Sequence, residues 1–212
     1  MSGVDEVDVD KMYKGQFGQD RQVIDVIYNK KRDGFFVEIG AYDGIESSNT
    51  YVLEKVYGWK GLCVECNPCN FDDLKKNRDC HISFNAVFSA DGLEMDFIPA
   101  GGASGLRGTQ THNIRHRPSI KVITKTMTTL LDEINAPSFI EFLSLDTEGS
   151  ELEILKAHNW SKYKFGYITV EHNHVESNRM GIRSFLLANG YEFIRENNVD
   201  DEYKLTDLAS YL

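Results

Sequence analysis

The chain has 212 residues, with 23 Lys or Arg against 33 Asp or Glu, a formal net charge of −10. Such a balance lacks the clustered cations that neutralise phosphates, so nucleic acid is not an expected partner. With 41% apolar and 26% charged residues, collagen-like, disordered and disulfide-scaffold classes drop out, leaving one globular domain over residues 1–212.

Short β-rich runs alternate with amphipathic stretches. A strand is expected at Phe35–Ile39, a helix from Ser47 to Tyr57 stopped by Gly58, a strand at Gly61–Glu65 and a helix from Asn70 to Asn77. A strand follows around Ile82 to Phe88, then a hairpin-like pair at Leu93–Ile98 and Ile120–Thr126, separated by the one long irregular segment, 100–119. The remainder reads as a helix at Thr129–Asn135, a strand at Phe139–Leu145, a helix at Ser150–His158, a strand at Tyr167–Glu171, a helix at Asn178–Asn189, and strands at Tyr191–Arg195 and Tyr203–Leu205. This βαβ alternation predicts a mostly parallel sheet covered by helices.

No apolar run approaches the roughly 20 residues of a membrane-spanning helix. The lead-in 1–16 carries Asp5, Glu6, Asp8 and Asp10 where a secretory signal would be basic and then apolar. The expectation is a cytoplasmic protein whose cysteines Cys63, Cys66, Cys69 and Cys80 are reduced thiols. Their spacing lacks the second pair of a closed zinc site.

In an open α/β sheet, ligands bind beyond the carboxyl ends of the strands, so strand ends carry the functional reading. The first strand runs into Glu38-Ile-Gly-Ala-Tyr-Asp-Gly44, where Gly40 and Gly44 permit a sharp turn and close backbone approach. Glu65 ends the next strand roughly 20 residues further on, where an acid accepts hydrogen bonds from a ribose diol. The turn departs from the G-x-G-x-x-G dinucleotide fingerprint, and Glu38 in the first glycine's place would repel a pyrophosphate. S-adenosylmethionine, cationic and free of phosphate, fits better.

Asp146 ends the Phe139–Leu145 run and points into the expected crevice, while Glu148, Ser150 and Glu151 open the following helix, where Ser caps and acids are favoured. Thr169-Val-Glu-His-Asn-His174 places Glu171, His172, Asn173 and His174 at another strand end, a cluster able to bind a metal or move protons.

Glu38 to Gly44, Val64-Glu-Cys-Asn-Pro68, Asn85-Ala86, Thr129 to Asp132 and above all Phe142 to Leu155 together resemble the FkbM-type family of S-adenosylmethionine-dependent methyltransferases, and Gln16-Phe-Gly-Gln-Asp20 is similar to the lead-in of many members. Two departures are visible: Glu38 replaces the commoner Asp, and Cys66 stands where Pro is usual. The resemblance implies a three-layer, Rossmann-like class I methyltransferase fold: a mostly parallel seven-stranded sheet with an antiparallel last strand. It also implies O-methylation of a sugar, in a glycan or a glycosylated metabolite. Carried over, Glu38, Gly40, Ala41, Asp43, Gly44 and Ser48 hold the methionine part of the cofactor, Glu65 and Cys66 the ribose side, and Asn85 with Ala86 the adenine.

Asp146, Glu171, His172 and His174 are then the catalytic candidates. A histidine acts as base, or Asp146, Glu171 and His172 bind a divalent cation, Mg²⁺ or Mn²⁺, that chelates sugar hydroxyls. Glu148, with His112, Arg115 and Arg117 of the glycine-rich and then basic loop 100–119, is the expected acceptor contact; the loop suits a lid or an acceptor-binding loop, and its cations suit an anionic acceptor or equally a solvated surface. Two competing readings are N- or carboxyl-methylation of a non-sugar small molecule, and a non-catalytic nucleoside- or glycan-binding module.

Overall fold

The structure, a computed structural model, describes residues 8–109 and 113–212. Eleven strands are present among them: β1 Phe35–Ile39, β2 Lys60–Val64, β3 His81–Ser83, β4 Ala86–Val87, β5 Glu94–Ile98, β6 Gly105–Leu106, β7 Ile120–Lys125, β8 Phe139–Leu145, β9 Lys164–Glu171, β10 Tyr191–Asn197 and β11 Asp200–Leu205. The helices are α1 Gln19–Arg21, α2 Tyr51–Lys55, α3 Phe71–Asn77, α4 Met127–Glu133, α5 Glu151–Ala157 and α6 Glu176–Ala188. No described helix is long and apolar enough to cross a membrane.

Seven strands form one sheet in the order β10-β11-β9-β8-β1-β2-β3, with β11 antiparallel to both neighbours and the central pairs parallel. This is the expected seven-stranded sheet with an antiparallel last strand. β1 and β8 lie at its centre, nearly every residue buried, which is why both read as mostly apolar runs, broken only by Glu38, Glu141 and Ser144, rather than alternating ones. Trp59, Tyr167, Tyr203 and Phe142 are among the largest fully buried side chains of the apolar core around this sheet.

Two expectations change. The single strand around Ile82 to Phe88 is two: β3 extends the main sheet beside β2, whereas β4 leaves it to pair with β7. β4, β7, β5 and β6 make a second, four-stranded sheet, in which β5 and β7 form the expected antiparallel pair with Glu94 opposite Ile123. The helix expected from Ser47 begins only at Tyr51, because Ser47 adopts a left-handed backbone (φ 57) and the Asn49 amide donates to the Glu38 carboxylate at 2.7 Å.

A helical segment that periodicity did not disclose precedes the first strand. α1 continues into a wide π-type turn, Gln22–Ile27, which buries Val23 and Ile24. Its β-branched Val23, Ile24, Val26 and Ile27 disfavour helix locally, so burial rather than propensity holds it.

Candidate active site

The crevice opens at the carboxyl ends of β1, β2, β8 and β9. At the β1 turn Gly40 has φ 91, and a Cβ there would lie 1.9 Å from the Asp146 carbonyl oxygen, so no other residue fits. The amides of Gly40 and Ala41 both donate to the Val64 carbonyl at 3.0 Å, and the Asp146 amide donates to the Ile39 carbonyl at 3.0 Å. These bonds tie the three strand ends together at the crevice floor.

Glu38 does not face the crevice. It is buried, and its carboxylate accepts from Ser48 Oγ, the Asn49 amide and Thr50 Oγ1 and pairs with Arg78 at 3.1 Å. Asp43 is likewise engaged, accepting from the Ile45 and Glu46 amides at 2.8 and 2.7 Å. Glu38, Asp43 and Ser48, expected to hold the methionine part directly, therefore set the shape of the turn, although Ser48 also reaches the crevice wall. Gly44 does the same; its φ is 83, and a Cβ would strike Arg78 Cγ at 2.6 Å. Arg78 is the residue the sequence reading missed. Its buried guanidinium joins Glu38, Glu54 and Thr50, and in sequence it is only the last of three cations, after Lys75 and Lys76, at a helix end.

Two adjoining cavities fill the crevice. The first, with about 600 Å³ of free space, is lined by Gly40, Tyr42, Glu65, Cys66, Asn85 and Ala86, by the apolar Val64, Val87, Phe97 and Leu106, and by Asp146 and Glu148. Glu65 accepts from the Tyr42 amide at 2.8 Å and the Asn67 amide at 2.6 Å, which fixes its carboxylate at the cavity edge with further lone pairs to offer. Burial raises its carboxyl pKa, opposed by those amide bonds. Gly101, Gly102, Ser104, Gly105 and Leu106, from the segment expected as a lid, also line this cavity.

The second cavity, about 1110 Å³ of free space open to solvent, is lined by Gln16, Phe17, Tyr42, Glu46, Gly102, Ala103, Asp146, Glu148, Glu171 and Asn173, among others. Asp146, Glu148 and Glu171 each bring a carboxylate oxygen within 4.8 Å of the others. Glu171 and Glu148 are buried, while Asp146 keeps contact with solvent inside the crevice. Glu148 accepts from Asn173 Nδ2 at 2.8 Å, and Oε2 of Glu171 has no hydrogen-bond partner. Enclosure by the cleft walls, reinforced by the charges of Glu148, Asp200 and Glu151, pushes the Asp146 carboxyl up to about 8. Burial and the Asp146 charge push Glu171 higher still.

The histidines are elsewhere. His172 is buried behind the strand end, its Nδ1 accepting from the His174 amide at 3.0 Å and its Nε2 3.6 Å from Asp201. His174 is exposed, its ring 5.6 Å from that of His172. Neither lines the cavities, because His172 and Asn173 both donate backbone amides to Val199, turning the chain away after Glu171. In the candidate metal set, Glu148 takes the place expected for His172. Arg115 and Arg117 are exposed and line neither cavity; their carbonyls are gripped by the Arg107 guanidinium. His112 lies outside the described residues.

The strand order, with the glycine turn after β1 and an acid after β2, is that of a class I methyltransferase. The methyltransferase FkbM domain model matches residues 38–193, and the chain belongs to that family of S-adenosylmethionine-dependent methyltransferases. Among solved structures, the chain is similar to methyltransferase FkbM from Methylobacillus flagellatus KT, at 12% identity and a TM-score of 0.52, covering 81% of this chain. The chain spans 43% of the length of that protein. It is also similar to a precorrin-6y C5,15-methyltransferase from Geobacter metallireducens GS-15, at 12% identity and a TM-score of 0.49, covering 92% of both chains. No curated protein matches in sequence.

Proposed function

We propose that this methyltransferase transfers a methyl group to a hydroxyl oxygen of a carbohydrate, in a glycan or a glycosylated metabolite. The observation that carries the reading is the second cavity, which holds three converging carboxylates beside the donor cleft and whose lining, among the described residues, includes no Lys, Arg or His. Hydroxyl groups are recognised by such acceptors, and a hydroxyl attacks only as its proton departs.

S-adenosylmethionine, when bound, supplies a methyl group already activated on a positively charged sulfur. The cradle at Gly40, closed to any side chain, and Glu65 at the cavity edge fit that group: Glu65 would hold the ribose hydroxyls, Val87, Phe97 and Leu106 the adenine face, and the turn Gly40–Tyr42 the methionine part. Asp146 lines both cavities and is the general base, taking the acceptor proton on its carboxylate. Glu171, which keeps a proton far more readily, holds that carboxylate in place and limits the charge that gathers there. The lid segment 101–106 excludes water from the donor side.

The same three carboxylates suit a hard divalent cation such as Mg²⁺ or Mn²⁺, and the orphaned Glu171 oxygen is the feature that favours one. Such an ion would lower the hydroxyl pKa and relieve the crowding of negative charge. A cationic amine acceptor is the second reading, favoured by the excess of acid in the cavity. A carboxylate acceptor is disfavoured by the same charge.

Incubation of the protein with S-adenosylmethionine and a panel of monosaccharides, glycans and amines, with and without chelator, tests acceptor class and metal need together. Asp146→Asn is expected to lower turnover by about 10²–10⁴-fold. Its affinity for S-adenosylhomocysteine, measured by calorimetry, should stay near the parent value. Collapse of that affinity would move Asp146 from base to cofactor ligand.

A further inference from the structure

Phe17 is a half-buried aromatic residue that joins neither apolar cluster of the protein; it lines the acid cavity instead, together with Asp146 and Glu171. It is held there by a strap that is tied down at several points. Asp20, fully buried, accepts from the amides of Lys14 and Gly15 at 2.7 and 2.9 Å and from its neighbour Arg21 at 2.8 Å. The Phe17 amide donates to Gln19 Oε1 at 2.9 Å, and the Gln19 amide nitrogen donates to Asp200 at 2.6 Å. The Phe17 carbonyl accepts from Asn197 at 3.2 Å, and Gly18 turns with φ 73. Gly15 packs so tightly that a Cβ would meet Asp20 and Asn49 oxygens at 2.8 and 2.9 Å.

So much backbone anchoring around an aromatic residue that fills no core is a device for presenting it to the cavity. The same cavity is lined by Tyr42, a second aromatic residue outside the core with a left-handed backbone (φ 50), and by four carboxylates, Glu46, Asp146, Glu148 and Glu171.

We propose that Phe17 is an acceptor-specificity residue: its ring is the apolar platform for the C–H face of an uncharged sugar ring, whose hydroxyls then face the carboxylates. The inference rests on the carbohydrate reading above. An aromatic platform binds the non-reacting face equally in ground and transition states, so its loss acts on acceptor affinity rather than on the chemical step. The carboxylates, meanwhile, repel a hexuronic acid.

The test uses radiolabelled S-adenosylmethionine with methyl glycosides of a neutral hexose, a deoxyhexose, an amino hexose and a hexuronic acid. Phe17→Ala is expected to raise the acceptor KM about tenfold with kcat little changed, while the Kd for S-adenosylhomocysteine is unchanged and Phe17→Tyr restores the parent KM. The hexuronide is the poorest acceptor. An acceptor KM that does not move in Phe17→Ala overturns the platform alone and leaves the carbohydrate reading standing. A joint loss of S-adenosylhomocysteine affinity assigns the strap to the cofactor and also overturns it. A parent enzyme that neither methylates any of these glycosides nor binds them, by saturation-transfer NMR, overturns both.

Discussion

Glu65 and Arg78 show how differently two buried charged side chains serve the same turn. Glu65 sits at a strand end with two backbone amides holding it, so its charge is oriented toward the donor cavity rather than neutralised. Glu65→Ala is expected to weaken S-adenosylhomocysteine binding by roughly 1–3 kcal/mol, the loss of a charge-assisted hydrogen-bond pair; an unchanged calorimetric Kd would displace the ribose from this edge. Arg78 works through Glu38 and Glu54, whose carboxylates it pairs inside the protein at 3.1 and 2.7 Å. Arg78→Met leaves Glu38 buried without its cation, while Glu54 keeps Lys55 at 3.0 Å, and is expected to cost about 3–5 kcal/mol in denaturant unfolding. Glu65 was legible in the sequence because it ends an apolar run. Arg78 was not, because its partners come from β1 and α2, and nothing in a linear pattern records that convergence.

At the scale of elements, strands were the best read and the connections the worst. β1 and β8 begin and end where their apolar runs do, since both are buried almost throughout and bounded by polar turns. The break between β3 and β4 was invisible: Phe84 and Asn85 leave the strand where Ser83 Oγ donates to Asn85 Oδ1, and only the presence of β7 gives β4 a partner. The end of α5 carries its own pH signature. His158 is buried against Trp160 and Phe165, with Nδ1 3.2 Å from Thr128 Oγ1 and Nε2 3.3 Å from the Tyr163 carbonyl. Burial pushes its imidazole down to about 4, below the ordinary 6.5, so the unfolded chain takes up its proton first as pH falls. The stability this neutral histidine contributes is complete above pH 6.5 and is lost progressively toward pH 4, amounting to about 3 kcal/mol. His158→Gln should flatten that part of the stability profile, read by urea unfolding across the same range.

For the molecule as a whole, the acid floor opposes folding. Asp146 and Glu171 both bind protons more tightly in the folded protein than in the unfolded chain, where ordinary values are 3.8 and 4.5. The folded state therefore holds more protons, and stability falls as pH rises from the carboxylate range through about 8. Glu171→Gln is expected to raise the melting temperature at slightly alkaline pH and to flatten this decline while lowering turnover. A melting temperature below the parent's at every pH would show the pair to be net stabilising. On the proposed reading, in which the carboxylates serve the acceptor proton, this is a trade of stability for activity.

Residues that act along the chain were legible from its order. Periodicity disclosed the parallel strands, and the glycine turn, the Glu65 strand end and the run through Asp146 disclosed a methyltransferase, because each is a local requirement of backbone geometry or burial. The tertiary structure alone decided which acids meet. His172 and Glu171 are adjacent in sequence yet part at a strand end, since side chains on successive residues point to opposite faces and Val199 turns the backbone. Glu148, Phe17 and Tyr42 come from three distant segments and share one cavity. Convergence of that kind depends on how the sheet packs, a property of the whole fold that no stretch of sequence contains.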